Sequence, residues 1–139
     1  MAEVLRVEDL RVYYHTEAGP VKAVNGVSFA LKPGERFGLV GESGSGKSTI
    51  ALALLRLIRP PGRIEGGAIY LDGVNLVTLD EEEMRRLRLA RISLVAQGAM
   101  NSLNPVKRIG EQIELALRDH GVQMSRIEFD RYVAEQIGR

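Results

Sequence analysis

The order of apolar and polar positions begins with an antiparallel pair. Residues 4–14 alternate loosely and are rich in Val, Leu and Tyr, which predicts a strand. Glu17-Ala18-Gly19-Pro20 makes a turn, and residues 23–31 (AVNGVSFAL) predict a strand returning from it. Pro33-Gly34 turns the chain tightly into residues 36–40 (RFGLV), a short apolar run that predicts a buried strand. Residues 50–58 (IALALLRLI) are apolar almost all round and built from helix formers. They predict a buried helix, stopped by Pro60-Pro61-Gly62.

Gly66-Gly67 leads into a short strand over residues 68–71, closed by Asp72-Gly73. Asp80 is placed to cap a helix with Glu81, Glu82 and Glu83 in its first turn and Arg85, Arg86 and Arg88 towards its end. Glu81–Arg85 and Glu82–Arg86 have i,i+4 spacing, and the arginines read as a solvated face rather than a docking patch. Residues 76–81 (LVTLDE) faintly resemble an apolar strand ending in Asp-Glu, but their acids run straight into that capped helix, so they read as its entrance. Residues 91–95 (RISLV) predict another strand. Asn104-Pro105 suits a helix start, a cap followed by Pro at the first helical position. Ile109, Ile113 and Leu117 then repeat until Gly121 ends the helix, and Ser125-x-x-Glu128 reads as a capping box for a last helix with Phe129, Val133 and Ile137 on one face.

Composition narrows the setting. At 139 residues the chain is one domain at most. Its 19 basic and 18 acidic residues nearly balance, so nothing favours nucleic acid as a partner. It has no Cys, which excludes disulfides and thiolate metal sites. The start, Met1-Ala2-Glu3-Val4-Leu5-Arg6, lacks the basic-then-apolar pattern of a signal peptide, and no apolar run approaches the ~20 residues that span a bilayer. Any membrane role is therefore expected to come through a partner. His15 and His120 have no matching ligand residues and read as surface side chains.

The chemistry sits between the third predicted strand and the first helix. Gly41-Glu42-Ser43-Gly44-Ser45-Gly46-Lys47-Ser48-Thr49 fits G-x-x-x-x-G-K-[ST], a loop that binds nucleotide phosphates. Its glycines let successive N–H groups turn inward towards an anion, and the following helix adds the positive end of its dipole. Lys47 is placed to reach the β- and γ-phosphates, and the Ser48 hydroxyl to complete a Mg²⁺ shell.

With these pieces in order, the chain resembles the amino-terminal half of an ATP-binding cassette (ABC) ATPase subunit, and most of all those of dipeptide, oligopeptide and nickel importers. Three stretches carry the resemblance: residues 41–49 (GESGSGKST), 21–28 (VKAVNGVS) and 92–113 (ISLVAQGAMNSLNPVKRIGEQI), with Ser102-Leu103-Asn104-Pro105 the part closest to peptide importers. It covers most of the chain and weakens in the last helix. The resemblance implies an α/β P-loop NTPase fold, incomplete here. Residues 1–34 would be an antiparallel β-subdomain, 35–97 the P-loop core with β insertions, and 98–139 the start of a helical subdomain. It also implies ATP and Mg²⁺ as ligands, a dimer with a second ATPase subunit, and membrane permease subunits contacted near residues 97–105 at the cytoplasmic face. Tyr14 falls where the family stacks an aromatic on adenine, with Tyr13 as the alternative one residue earlier. Gln97 falls at the Q-loop position, where its amide would ligate Mg²⁺ and sense the γ-phosphate.

The chain departs from the family pattern at Ala96-Gln97-Gly98-Ala99, where an aromatic or Pro is expected before the Gln and often Asp-Pro after it. It also lacks, up to Arg139, the LSGGQ-type signature, the apolar strand ending in Asp-Glu and the late switch histidine. The expectation is thus an importer ATPase fragment that binds nucleotide weakly and does not turn it over, with an apolar sheet edge left open. The alternatives are a non-catalytic nucleotide-binding module and a non-transport ABC ATPase.

Overall fold

Both opening strands form, each longer than its pattern: β1 is Leu5–Thr16 and β2 is Gly19–Leu31. They are seen in a computed structural model that describes residues 3–99 and 103–138. The loose alternation of β1 has a local cause. Asp9 takes φ 45°, and the two residues between Val7 and Leu10, Glu8 and Asp9, oppose one, Ser28, on β2. This bulge puts Glu8 and Asp9 outward in succession and keeps Val7, Leu10 and Val12 all buried on one face. Gly67, at φ 90°, fits against it, since a Cβ there would lie 2.5 Å from the carbonyl oxygens of both Glu8 and Asp9.

The third strand, β3, is Gly62–Leu71 and pairs antiparallel with β1; β4 is the short Val74–Asn75, giving a four-stranded sheet in the order β2-β1-β3-β4. Two helices belong to the same unit: α1 (Lys47–Leu54) and α2 (Glu81–Leu87). The core gathers Val7, Leu10, Val12, Val24 and Ile69 from the sheet, Ile50 and Ala53 from α1, Leu76, and Met84 from α2. The capping box of α2 is complete, with Asp80 accepting from the Glu83 N–H at 2.8 Å and Glu83 accepting from the Asp80 N–H at 2.9 Å. Residues 76–81 are the entrance to that helix, as their acids suggested.

Four expectations need correction. Residues 36–40 are not a strand: they are irregular, and Val40 is 98% exposed. A strand exists only with a ladder partner, and among the described residues none pairs with them. Phe37 instead stacks on Phe29, ring centroids 5.0 Å apart. Residues 91–95 likewise form only an isolated bridge, Arg88 with Ile92, and Val95 is 87% exposed. Helix α1 stops at Leu54, well before Pro60. The N–H of Leu57 bonds the Leu52 carbonyl at 2.8 Å and that of Arg56 the Ala53 carbonyl at 2.9 Å, a Schellman ending with Arg56 at φ 50°. Finally, Asn104 does not start a helix.

The chain divides after Leu94 into two compact units. The second holds α3 (Ile109–Asp119) and α4 (Arg126–Ile137). Ahead of α3, Asn104 and Pro105 form a turn: Asn104 Oδ1 accepts from the Val106 N–H at 2.9 Å. Gln112 clasps that turn, its Oε1 taking the Asn104 N–H at 2.9 Å and its Nε2 donating to the carbonyls of Asn104 and Lys107 at 3.1 Å each. The side chain of Asn104 is thus spent on the turn, and the helix begins after Arg108. Met100, Asn101 and Ser102, the last of them in the quoted importer stretch, lie outside the described residues. In α4 the box of Ser125 and Glu128 forms as expected, and Phe129 is buried, its ring 3.9 Å from where a Gly110 Cβ would stand. Ile137, expected on the same face, is 63% exposed. Among the described residues no helix is long and apolar enough to cross a membrane.

Candidate functional site: the loop at the head of α1

The loop of residues 41–46 is shaped by close approaches that exclude side chains. A Cβ at Gly41 would lie 2.7 Å from Ser45 Oγ. Gly44 and Gly46 take φ 80° and 90°, where residues with a Cβ are strained. The tightest contact is at Gly46, where a Cβ would fall 2.3 Å from the Ala23 carbonyl oxygen. That carbonyl is available because Ala23 is the extra residue of a β2 bulge: Val12 pairs with Val24 and Tyr13 with Lys22, leaving Ala23 unopposed. The two separate stretches 21–28 and 41–49 therefore meet as bulge and glycine.

Gly46 caps α1 in the left-handed region with no side-chain cap bond, so the first N–H groups of the helix are left without a partner among the described residues. That is the donor set an anion needs, reinforced by the helix dipole. Lys47 lies across the loop, its Nζ donating to the Gly41 carbonyl at 2.7 Å, to the Glu42 carbonyl, and to Ser45 Oγ at 3.1 Å. Glu42, Ser43 and Ser48 are exposed, Thr49 is half-buried, and the Ser48 hydroxyl has no protein partner among the described residues. A cradle no Cβ can enter, open helix N–H groups, a cation and a free hydroxyl fit a phosphate chain with its Mg²⁺.

Tyr14 and Tyr13 fall on opposite faces of β1, being consecutive in a regular stretch of pairing. Tyr14 lies on the side of α1: a Cβ at Gly62 would come within 2.6 Å of its ring and 2.9 Å of Ile58 Cγ2. Tyr13 is engaged elsewhere, its hydroxyl donating to Asn25 Oδ1 at 2.8 Å and its ring 5.6 Å from Lys22 Nζ. Gln97 is exposed in a turn of the second unit, followed by Gly98 at φ 70°. A left-handed residue there suits the glycine this chain carries.

Sequence reasoning missed several side chains that bear on this unit. His15 contacts Glu65, which also accepts from Arg63 Nε at 2.5 Å. The Arg63 bond first, and that from His15 second, hold the Glu65 carboxyl below its usual range. Arg88 does not join a solvated face but reaches the end of α1. Neither arrangement has a local signal, because the partners are 50 and 33 positions apart. Glu81 pairs with Arg88, while Glu82 takes both Arg85 and Arg86.

Comparison with known proteins adds to this geometry. The profile of the ABC transporter family matches residues 24–137. The chain belongs to the ABC transporter family. Among its relatives, the oligopeptide transport ATP-binding protein OppD of Escherichia coli is 46% identical over 125 residues, 90% of this chain and 36% of that protein. The dipeptide transport ATP-binding protein DppD of Caldanaerobacter subterraneus is 39% identical over 137 residues, 99% of this chain and 42% of that protein. The chain thus spans about 36–42% of the length of these relatives. Among solved structures, the bacterial ABC transporter cassette MJ0796, described in dimeric form, superposes with a TM-score of 0.75 at 22% identity, over 94% of this chain and 54% of that one. That likeness establishes the fold, a partial ABC nucleotide-binding domain with its antiparallel sheet and helices.

Proposed function

We propose that this chain is the amino-terminal part of the ATP-binding subunit of an ABC importer for peptides. The observation that carries the reading is the loop at the head of α1, whose glycines are held against the Ala23 carbonyl and Ser45 while the helix N–H groups stay open. The names of its relatives, oligopeptide and dipeptide transport proteins, support the substrate class. The loop N–H groups of residues 41–49 would cradle the phosphates, Lys47 would leave its carbonyl partners for the β- and γ-oxygens, and Ser48 with Gln97 would hold Mg²⁺. When bound, Mg²⁺ neutralises charge on the β- and γ-phosphates. Tyr14 would present its ring to adenine, a contact that needs only a π-face. The whole protein would act as a dimer with a second ATPase subunit at the cytoplasmic face of the membrane, with permease subunits contacted near residues 97–105.

Alone, the 139 residues supply Lys47 and Gln97 but neither the signature nor the Glu that positions water. Loss of such groups costs several orders of magnitude in phosphoryl transfer. The chain is expected to bind MgATP weakly and to show no steady-state hydrolysis. Calorimetric titration with MgATP and a coupled phosphate-release assay, each with Lys47→Ala beside the native chain, test this. Binding lost in Lys47→Ala supports the site; turnover lost in that variant would sink the inactivity, and identical titrations would sink the site itself.

A further inference from the structure

The C-terminal end of α1 is finished by a residue from far along the chain. Its last turn contains no basic residue, although the carbonyls there carry the negative end of the helix dipole. Arg88, whose side chain is only 20% exposed, supplies what is missing: Nε donates to the Leu55 carbonyl at 2.8 Å and Nη2 to that of Arg56 at 3.4 Å. Glu81 orients the guanidinium from the other side, accepting from Nη1 at 2.6 Å. The same residue opens a tight turn. The Leu89 N–H bonds the Ile92 carbonyl at 2.8 Å with Leu89 at φ 65°, and the N–H groups of Arg91 and Ile92 both reach the Leu87 carbonyl. From Ile92 the chain runs directly to Gln97 in five residues. Arg88 therefore bonds the end of the phosphate-loop helix through its side chain, while its own backbone bridges to Ile92 and opens the turn from which the chain runs to Gln97.

We propose that Arg88 is a positioning residue for the nucleotide reaction, coupling the state of the phosphate loop, through α1, to the segment that carries Gln97. This rests on the nucleotide-binding reading above. Arg88 touches no substrate in this role. A guanidinium can serve two carbonyls in a fixed fork, whereas Lys offers a single mobile charge, so Arg88→Lys should restore the link only in part.

The test uses the 139-residue chain and NMR of its backbone amides at millimolar MgATP, in native, Arg88→Met, Arg88→Lys, Arg86→Met and Lys47→Ala forms. In the native chain, nucleotide is expected to shift the amides of residues 44–50 and those of Gln97 and Gly98. Arg88→Met should keep the first set, with Kd within about threefold, and lose at least about half of the second; Arg88→Lys should fall between, and Arg86→Met should match the native chain. Without nucleotide, hydrogen exchange at the Leu57 and Ile92 amides should rise together in Arg88→Met by about tenfold, the scale of one charge-assisted hydrogen bond. Should Arg88→Met not fold, Arg88→Lys is read by the same shifts. Shifts at Gln97 and Gly98 of native size in either variant overturn the coupling and leave Arg88 a structural cap. A native chain that responds to MgATP no differently from Lys47→Ala overturns the nucleotide reading, and the positioning role falls with it.

Discussion

Helices α1 and α3 stop by the same backbone device but place different residues in its left-handed position. In α3 the Val122 N–H reaches the Leu117 carbonyl at 3.0 Å, the Gly121 N–H reaches that of Arg118 at 2.9 Å, and Gly121 takes φ 72°. Helix α1 makes the same pair of bonds with Arg56 at φ 50°. Glycine reaches this region without strain; arginine does so at a cost of roughly 1–2 kcal/mol. What offsets the cost is the side chain. Arg56 Nη1 donates to the carbonyls of Leu76 and Leu79, 3.2 and 2.5 Å away, joining α1 to the entrance of α2. The end of α3 only stops a helix, while the end of α1 also locks its helix to the rest of the unit.

Substitutions at the two ends sharpen that difference. Arg56→Ala keeps the strain and loses both carbonyl bonds, so it should destabilise the first unit by about 2–4 kcal/mol in denaturant unfolding, with Arg56→Gly about 1 kcal/mol milder. An Arg56→Gly chain more stable than the native one by about the 1–2 kcal/mol of relieved strain would show that the guanidinium contributes nothing. Gly121→Ala should cost about 1 kcal/mol, seen as fraying of α3 by circular dichroism, because open space surrounds that position and only its φ opposes a Cβ. The smallest effect belongs to α2, which ends in extended backbone at Arg88 and relies on side-chain charge along its length. Hydrogen bonds from Arg85, with Arg86 adding less, lower the Glu82 pKa from 4.5 to about 2. Being depressed in the folded chain, it adds stability that is present above about pH 4.5 and lost as pH falls through about 2. A Glu82 carboxyl titration by NMR should therefore have its midpoint near 2 in the native chain and move upward in Arg85→Met.

Glycine-marked and side-chain-capped features could be read before the fold was known. Gly121 and the Asp80–Glu83 and Ser125–Glu128 boxes act through neighbours within a few positions, and the hairpin and residues 41–49 carry local turn and motif signals, although the loop's contact with Ala23 has none. Arg56 gave no sign that it ends a helix, since its compensation comes from residues 20 and 23 positions away. Residues 36–40 and 91–95 have the composition of strands, yet ladder pairing is a property of two segments and no composition supplies the second. Asn104 had the right chemistry for a cap and spends it on a turn, because Gln112 offers a competing set of bonds. For the candidate site, the loop residues were legible as a motif, whereas the side of the sheet on which Tyr14 lies required the pairing register of β1 with β3.

The contact of Gly46 with the Ala23 carbonyl has a consequence for how such cassettes can be recombined. A chimera that imports the opening hairpin from another protein brings a new backbone to the floor of the loop of residues 41–46, even if no loop residue is changed. Shortening the donor strand by a single position at residue 23 would restore even pairing and withdraw the carbonyl over which the loop is folded. Hairpin and loop are inherited as one part, and the seam for exchanging pieces lies elsewhere in the chain.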